Sequence, residues 1–348
     1  MMKILHVTDC FNGGVQEVIE AIIATANNCE HYLLFDIHEN DPHNSLTELK
    51  KIKCNATIWT RGSLNRVRHL RSIVNHSSID LIHYHSSRAG FYGRISLPKR
   101  VNIYSSHGFG FERKDISIYL RSLIFVVELL LRSRTNIYIA NWPSEYKVAR
   151  KLYSKNRIEY APIIIERLMS IPLQKRNYTG KKFQIATIGR ITQAKDPSFF
   201  LKVKKRIESK DDIEWHWLGD GQPASRHNLE SAGVHISGWL SKANLRQRLE
   251  DIRVILITSL WDAGPITLYL AISLGIPVII RDFPAGKILG LDHGWTVEEF
   301  SSSLESLMES QQYETIASAQ RNRVLELMKE NSPRKIADVY QMLWRNNP

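Results

Sequence analysis

The chain has 348 residues, of which 43% are hydrophobic and 24% charged, enough for two globular domains rather than one. Its formal net charge is +12, and residues 1–170 hold most of the excess, with 23 Lys and Arg against 15 Asp and Glu; that field favours phosphates, nucleic acid or an anionic membrane face. Three cysteines, Cys10, Cys29 and Cys54, have no metal-type spacing and cannot all pair, which points to a reducing compartment, and neither a targeting core nor a spanning apolar run is present.

The first half alternates two kinds of segment. Lys3–Val7 reads as a strand, followed by a loop with Gly13 and Gly14 and a helix to about Asn27. Strands are predicted at Tyr32–Asp36, Ala56–Trp59, Asp80–His85, Val101–Ser105 and Asn136–Ala140, with helices at Asn65–Val74, Ala89–Leu97, Ile116–Ser133 and Ser144–Leu152. The helix over Ile116–Ser133 is apolar around most of its circumference and flanked by Arg113, Lys114, Arg121, Arg132 and Arg134. A buried core helix is the favoured reading; a helix dipping into a lipid interface is the alternative. Arg167–Lys182 is polar and aperiodic and reads as a linker.

A second alternating set follows. Strands are expected at Gln184–Gly189, Ile213–Gly219, His235–Ser237, Val254–Thr258 and Val278–Arg281, and helices at Ser198–Ile207, Gln222–Ala232, Asn244–Glu250 and Ile266–Leu274. A final helical region opens near Thr296, and Pro333–Trp344 is helical. Alternation of this kind predicts two parallel sheets covered by helices, with ligands bound at the strand C-termini in a cleft between the units.

Candidate chemistry lies at those strand ends. Gly189-Arg190, then Lys195, places a planar fork and a point charge where a diphosphate would be neutralised; two solvated cations explain the pattern about as well. Gly219-Asp220-Gly221 is a tight turn that brings main chain close to a ligand. Asp262 precedes Gly264-Pro265-Ile266-Thr267, a helix start whose N–H groups form an anion site, although Asp262 also suits a plain helix start. Gly13-Gly14 suits close approach of phosphate or sugar. His83, His85 and His107 end strands on the same side; as a trio they invite a metal, but no acid or Cys joins them at ligand spacing.

In this order these motifs resemble glycosyltransferase family 4, a retaining GT-B group, particularly its bacterial surface-polysaccharide members. The pattern is Gly189-Arg190 with Lys195, Gly219-Asp220-Gly221, and Ser259 through Gly275-Ile276-Pro277-Val278-Ile279, with Gly13-Gly14-Val15 and His85-Ser86-Ser87-Arg88-Ala89-Gly90 in the first half. The resemblance implies an α/β GT-B fold: an acceptor domain over 1–168, with helix 333–348 packing back on it, and a donor domain over 169–332. It implies Arg190 and Lys195 on the donor diphosphate, Asp262 and His107 on the donor sugar, and Gly13, Gly14, Gly189, Gly219, Asp220, Gly264, Pro265, Ile266 and Thr267 around the donor. His85, Ser86 and Arg88 fall on the acceptor side. The co-substrate it implies is a UDP- or GDP-linked sugar, with no cofactor or metal; the basic first half and the apolar helix lead to the expectation of a saccharide or lipid-linked acceptor at the inner face of the cytoplasmic membrane.

Two departures stand out. Leu270 occupies the position of the family's second glutamate, which grips the nucleotide ribose, and Ala161-Pro162-Ile163-Ile164 replaces a Pro-Asn-Gly. Leu270 motivates a second reading: a catalytically impaired nucleotide-sugar-binding protein acting as a partner subunit. Nucleic-acid binding has only charge in its favour, with no matching motif.

Overall fold

A computed structural model describes residues 1–9, 11–36, 52, 54–173, 176, 182–207, 212–290, 294–330 and 334–346. Cys10 and part of the expected linker, residues 174, 175 and 177–181, lie outside the described residues. The chain divides into two compact units, Met1–Glu166 with Asn331–Pro348, and Arg167–Glu330.

Unit 1 holds seven parallel strands in the order β3-β2-β1-β4-β5-β6-β7. They are β1 (Lys3–Thr8), β2 (Glu30–Phe35), β3 (Asn55–Ile58), β4 (Leu81–His85), β5 (Asn102–Ser105), β6 (Ile137–Ala140) and β7 (Ile158–Tyr160). The order reverses between β1 and β4, the point at which doubly wound sheets bind ligands. Helices α1 (Gly13–Thr25), α2 (Ser63–His76), α3 (Ser87–Ser96), α4 (Ile118–Leu131), α5 (Pro143–Leu152) and α6 (Ile163–Met169) connect and follow the strands. The short edge strand β7 has no sequence counterpart above; three residues are too few to show a period. Leu5, Val7, Ile82, Tyr84, Tyr104 and Tyr138 form the core. The last helix of the chain, Ile336–Arg345, packs on α1 and buries Tyr340.

Unit 2 repeats the pattern with five parallel strands in the order β10-β9-β8-β11-β12: β8 (Phe183–Ile188), β9 (Ile213–Leu218), β10 (His235–Ile236), β11 (Val254–Ile257) and β12 (Val278–Ile280). Its helices are α7 (Pro197–Ile207), α8 (Pro223–Ser231), α9 (Lys242–Leu249), α10 (Ile266–Ser273), α11 (Pro284–Leu289), α12 (Val297–Ser310) and α13 (Tyr313–Glu330), which makes Ile336–Arg345 α14. Ile185, Phe200, Trp217, Leu256 and Phe300 meet in its core.

The expectation of a buried core helix at 116–133 is overturned. In α4 only Glu128 and Leu131 are buried, while Ile118, Leu120, Leu123, Phe125, Val126 and Leu130 are exposed. An all-round apolar helix normally sits inside a core. Here the inward anchor is polar: Glu128 accepts from Arg94 Nη2 and from the Tyr104 hydroxyl, both at 2.8 Å. Arg94 also donates to the Gly90 carbonyl at 2.9 Å and stacks 4.0 Å from the Tyr104 ring. A buried ion pair holds only with its remaining bonding capacity satisfied, as this one is. No helix among the described residues is long and apolar enough to cross a membrane.

Candidate functional site

In unit 2 the loops after β8 and β9 are stitched together. Gly189 N–H donates to the Leu218 carbonyl at 3.0 Å, and Ile191 N–H to the Asp220 carbonyl at 2.8 Å. The Trp217 indole donates to the Gly189 carbonyl at 2.8 Å. Gly219 lies at φ +152°, and a Cβ there would stand 2.1 Å from the Gly189 oxygen, so only glycine lets the loops pack. Asp220 accepts from its neighbour Gly221 N–H at 2.8 Å and pairs with Arg226 at 3.1 Å, which are turn-fixing contacts.

Lys195 follows in a one-turn 3-10 helix, Gln193–Lys195. Its carbonyl accepts from the Thr258 hydroxyl at 2.6 Å, and Leu260 N–H donates to the Ala194 carbonyl at 2.9 Å, so β11 fixes where the lysine starts. The Lys195 ammonium meets Asp262 Oδ2 at 2.7 Å, and Asp262 Oδ1 accepts from Gly264 N–H at 3.2 Å. Both side chains are about one-fifth exposed, at 20% and 22%. Two candidates 67 positions apart thus form one ion pair beside the start of α10. Pro265 caps that helix without a side-chain bond, ahead of Ile266 and Thr267, so the first turn keeps donors open to an anion. The Thr267 hydroxyl is buried without a partner among the described residues. Arg190 is exposed one residue past Gly189, and Leu270 is half-buried on α10.

Arg281, not foreseen, joins the same strand ends. It pairs with Asp196 at 2.7 Å and lies under Phe199 at 3.9 Å and Trp295 at 4.4 Å. Asp196 takes the left-handed conformation at φ +49°. The only sequence signal was an arginine ending an apolar strand.

In unit 1 Gly13 and Gly14 open α1 and are exposed; Asn12 precedes them without a side-chain cap bond. Ser86 caps α3, accepting from Ala89 N–H at 3.3 Å, and its hydroxyl also donates to Asp9. Arg88 is exposed in the first turn of α3. His107 follows β5 in a left-handed conformation, φ +53°. Glu145, buried at the start of α5, holds that turn: it accepts from His107 N–H at 2.9 Å, Ser106 Oγ at 3.0 Å, Tyr138 OH at 2.7 Å and Asn141 N–H at 2.9 Å. Burial raises its pKa against these bonds. Burial also lifts Glu112, in the adjacent 3-10 turn, to about 7.

His85 is fully buried, with Nδ1 3.0 Å from His107 Nε2 and Nε2 3.0 Å from His6 Nδ1. His83 is buried with one nitrogen 2.7 Å from Tyr340 OH and the other 3.0 Å from Ser105 Oγ. The ligand atoms of His6, His83 and His85 lie within 4.8 Å of one another, close enough for a metal. Every ring nitrogen of the three is, however, already engaged in a hydrogen bond, so binding an ion requires breaking that network.

Residues 182–310 match the family described as Glycosyl transferases group 1. An uncharacterized 41.2 kDa protein in the cps region of Klebsiella pneumoniae is 28% identical over 303 residues, 81% of each chain. The UDP-Gal:alpha-D-GlcNAc-diphosphoundecaprenol alpha-1,3-galactosyltransferase of Escherichia coli is 22% identical over 302 residues, 79% of this chain and 75% of that one. Among solved structures, Anabaena Alr3699/HepE in complex with UDP and glucose superposes with a TM-score of 0.73 at 14% identity, over 99% of both chains. The two Rossmann-like units and these neighbours make the fold GT-B, and the expected resemblance holds.

Proposed function

We propose that this GT-B glycosyltransferase, with its glycosyl transferases group 1 region at 182–310, moves a sugar from a nucleoside diphosphate to a lipid-linked saccharide, with retention at the anomeric carbon. The observation that carries the reading is the Lys195–Asp262 pair at the start of α10, beside the interlocked glycine turns of β8 and β9. A leaving diphosphate needs fixed positive charge and open N–H donors, and this corner supplies both. Arg190 and Lys195 neutralise the diphosphate without a divalent ion. Asp262, released from Lys195, and His107 accept hydroxyls of the donor sugar. The leaving phosphate takes the acceptor proton on the same face, so no general base is assigned.

The UDP sugar and diphosphoundecaprenol in the names of the neighbours support a UDP-linked donor and a polyprenyl-diphosphate acceptor. The exposed apolar face of α4, with exposed Arg113, Lys114, Arg132 and Arg134 around it, supports contact with an anionic membrane at its cytoplasmic face. Leu270 favours one rival, a binding subunit without turnover.

The test is incubation with a panel of UDP- and GDP-sugars and a polyprenyl-diphosphate saccharide, reading nucleoside diphosphate release and the anomeric configuration of the product by NMR. Transfer with retention, unaffected by EDTA and abolished in Arg190→Ala and Lys195→Ala, is the expected result. Donor binding without any release would favour the binding-subunit reading. For the membrane contact, Leu123→Glu with Phe125→Glu is expected to abolish co-sedimentation with vesicles containing phosphatidylglycerol; retained binding refutes it.

A further inference from the structure

Four histidines form a continuous hydrogen-bonded line across the unit 1 sheet. His31 on β2, His6 on β1 and His85 on β4 share one face, as their register requires: Ile4 pairs with His31, His6 with His83, and side chains alternate along each strand. The line continues to His107 beyond β5. Its contacts are His31 to His6, His6 to His85 and His85 to His107, each 3.0 Å between ring nitrogens. At the far end His31 Nε2 stands 2.9 Å from the Ala26 carbonyl.

That carbonyl sets the direction of every bond. A carbonyl only accepts, so His31 carries its proton on Nε2, and its Nδ1 is bare. Nδ1 must therefore accept from His6 Nε2–H, which leaves His6 Nδ1 bare to accept from His85 Nε2–H. His85 Nδ1 in turn accepts from His107 Nε2–H. Burial holds each ring neutral, and it pushes His107 down to about 4. The last atom of the line, His107 Nδ1, is buried and has no partner among the described residues. His83 runs a parallel course: Tyr340 donates to its Nδ1, its Nε2–H donates to Ser105 Oγ, and Ser105 donates to the Ile139 carbonyl at 2.7 Å.

We propose that His31, His6 and His85 are positioning residues, a one-way relay that locks His107 in its Nε2–H tautomer and presents Nδ1 as an acceptor for a ligand hydroxyl. A free neutral imidazole exchanges between its two tautomers and offers a donor or an acceptor at either nitrogen. Here the choice is made at His31 on β2, three strands across the sheet from β5, by a backbone carbonyl that carries no charge. The relay thereby tunes which partner His107 selects: a hydroxyl that donates. The ligand half of this inference rests on the glycosyl-transfer reading; the tautomer half does not.

The experiment uses the full chain labelled with 15N-histidine, with long-range 1H–15N correlation reporting the tautomer of each ring. Wild type is expected to show His31, His6, His85 and His107 all as Nε2–H. His85→Asn keeps an oxygen for His107 Nε2–H and should preserve its tautomer; His85→Leu should let it exchange. Titration with UDP-glucose and UDP-galactose should move the His107 Nδ1 resonance, and UDP alone should not. His85→Leu should weaken sugar-donor binding about fivefold, the worth of one neutral hydrogen bond, with UDP affinity unchanged and asparagine restoring the loss. His107 found as Nδ1–H in wild type, or locked alike in the leucine variant, overturns the relay. If the leucine variant does not fold, the wild-type tautomers decide. Sugar donors that bind without moving Nδ1 overturn the acceptor role. Donors that do not bind count against glycosyl transfer, and the relay is then judged on the tautomers alone.

Discussion

Replacing Asp262 by asparagine gives the most direct test of the unit 2 corner. The Lys195 ammonium is held by Asp262 at 2.7 Å, and an incoming diphosphate must compete with that carboxylate. Asparagine keeps an oxygen for Gly264 N–H, so the turn survives while the charge goes. Breaking an exposed pair costs about 0.2–1 kcal/mol, and removing one partner of a buried pair costs about 3–5 kcal/mol. At one-fifth exposure the pair falls between, at about 1–2 kcal/mol, which predicts UDP binding roughly 5–30-fold tighter in Asp262→Asn. The gain should shrink with added salt and vanish when Lys195→Ala is combined with it. Titration calorimetry at fixed ionic strength measures this, and transfer rate should fall as UDP affinity rises, since Asp262 is lost from the sugar. Unchanged or weaker UDP binding would refute the competition and leave Lys195 as a structural cation.

Gly219→Ala forces a Cβ to within 2.1 Å of the Gly189 oxygen, so it should destabilise unit 2 by about 3 kcal/mol or more in urea unfolding and weaken UDP binding; a near-neutral effect would show that the two turns are not interlocked. Unit 1 should be acid-labile: His107 has its pKa lowered from 6.5 to about 4, so its stabilising neutral form is complete above 6.5 and lost as pH falls from there through about 4. His6, His83 and His85 shift the same way, and each steepens the loss by about 1.4 kcal/mol per pH unit. Hydrogen exchange of β1 and β4 amides between pH 7 and 5 checks it, and a flat protection free energy contradicts it. Glu112 works in reverse: raised from 4.5 to about 7, it costs stability as pH climbs through that window, so Glu112→Gln should raise the melting temperature at pH 8 and have little effect at pH 4.

Much of the fold was legible because parallel sheets advertise themselves by apolar runs separated by helical periods, and glycine and charge cluster where strands end. Lys195 and Asp262 were each visible as candidates, but their pairing is a property of strand order, which periodicity does not carry. The same holds for the histidines. His83, His85 and His107 stood out near strand ends, whereas His6 fell inside the expected strand Lys3–Val7 and His31 just before the one at Tyr32–Asp36, and neither was singled out. Their meeting depends on the register of β1 with β2 and β4. Helix α4 was misread for a different reason. Hydrophobicity around a helix reports what could be buried, not what is, and the residue that fixes its orientation, Glu128, looks in sequence like a stray charge.

The clamp between Glu128 and Arg94 governs what α4 can do mechanically. A helix fastened to its domain through an enclosed ion pair and a tyrosine hydroxyl cannot peel away and insert by itself; pulling it out strands two charges in a dry interior. Any surface that takes up its outer face must therefore take the domain with it, as a keel rather than a hinge, so that the depth and tilt of that engagement are dictated by where the helix is bolted to the sheet.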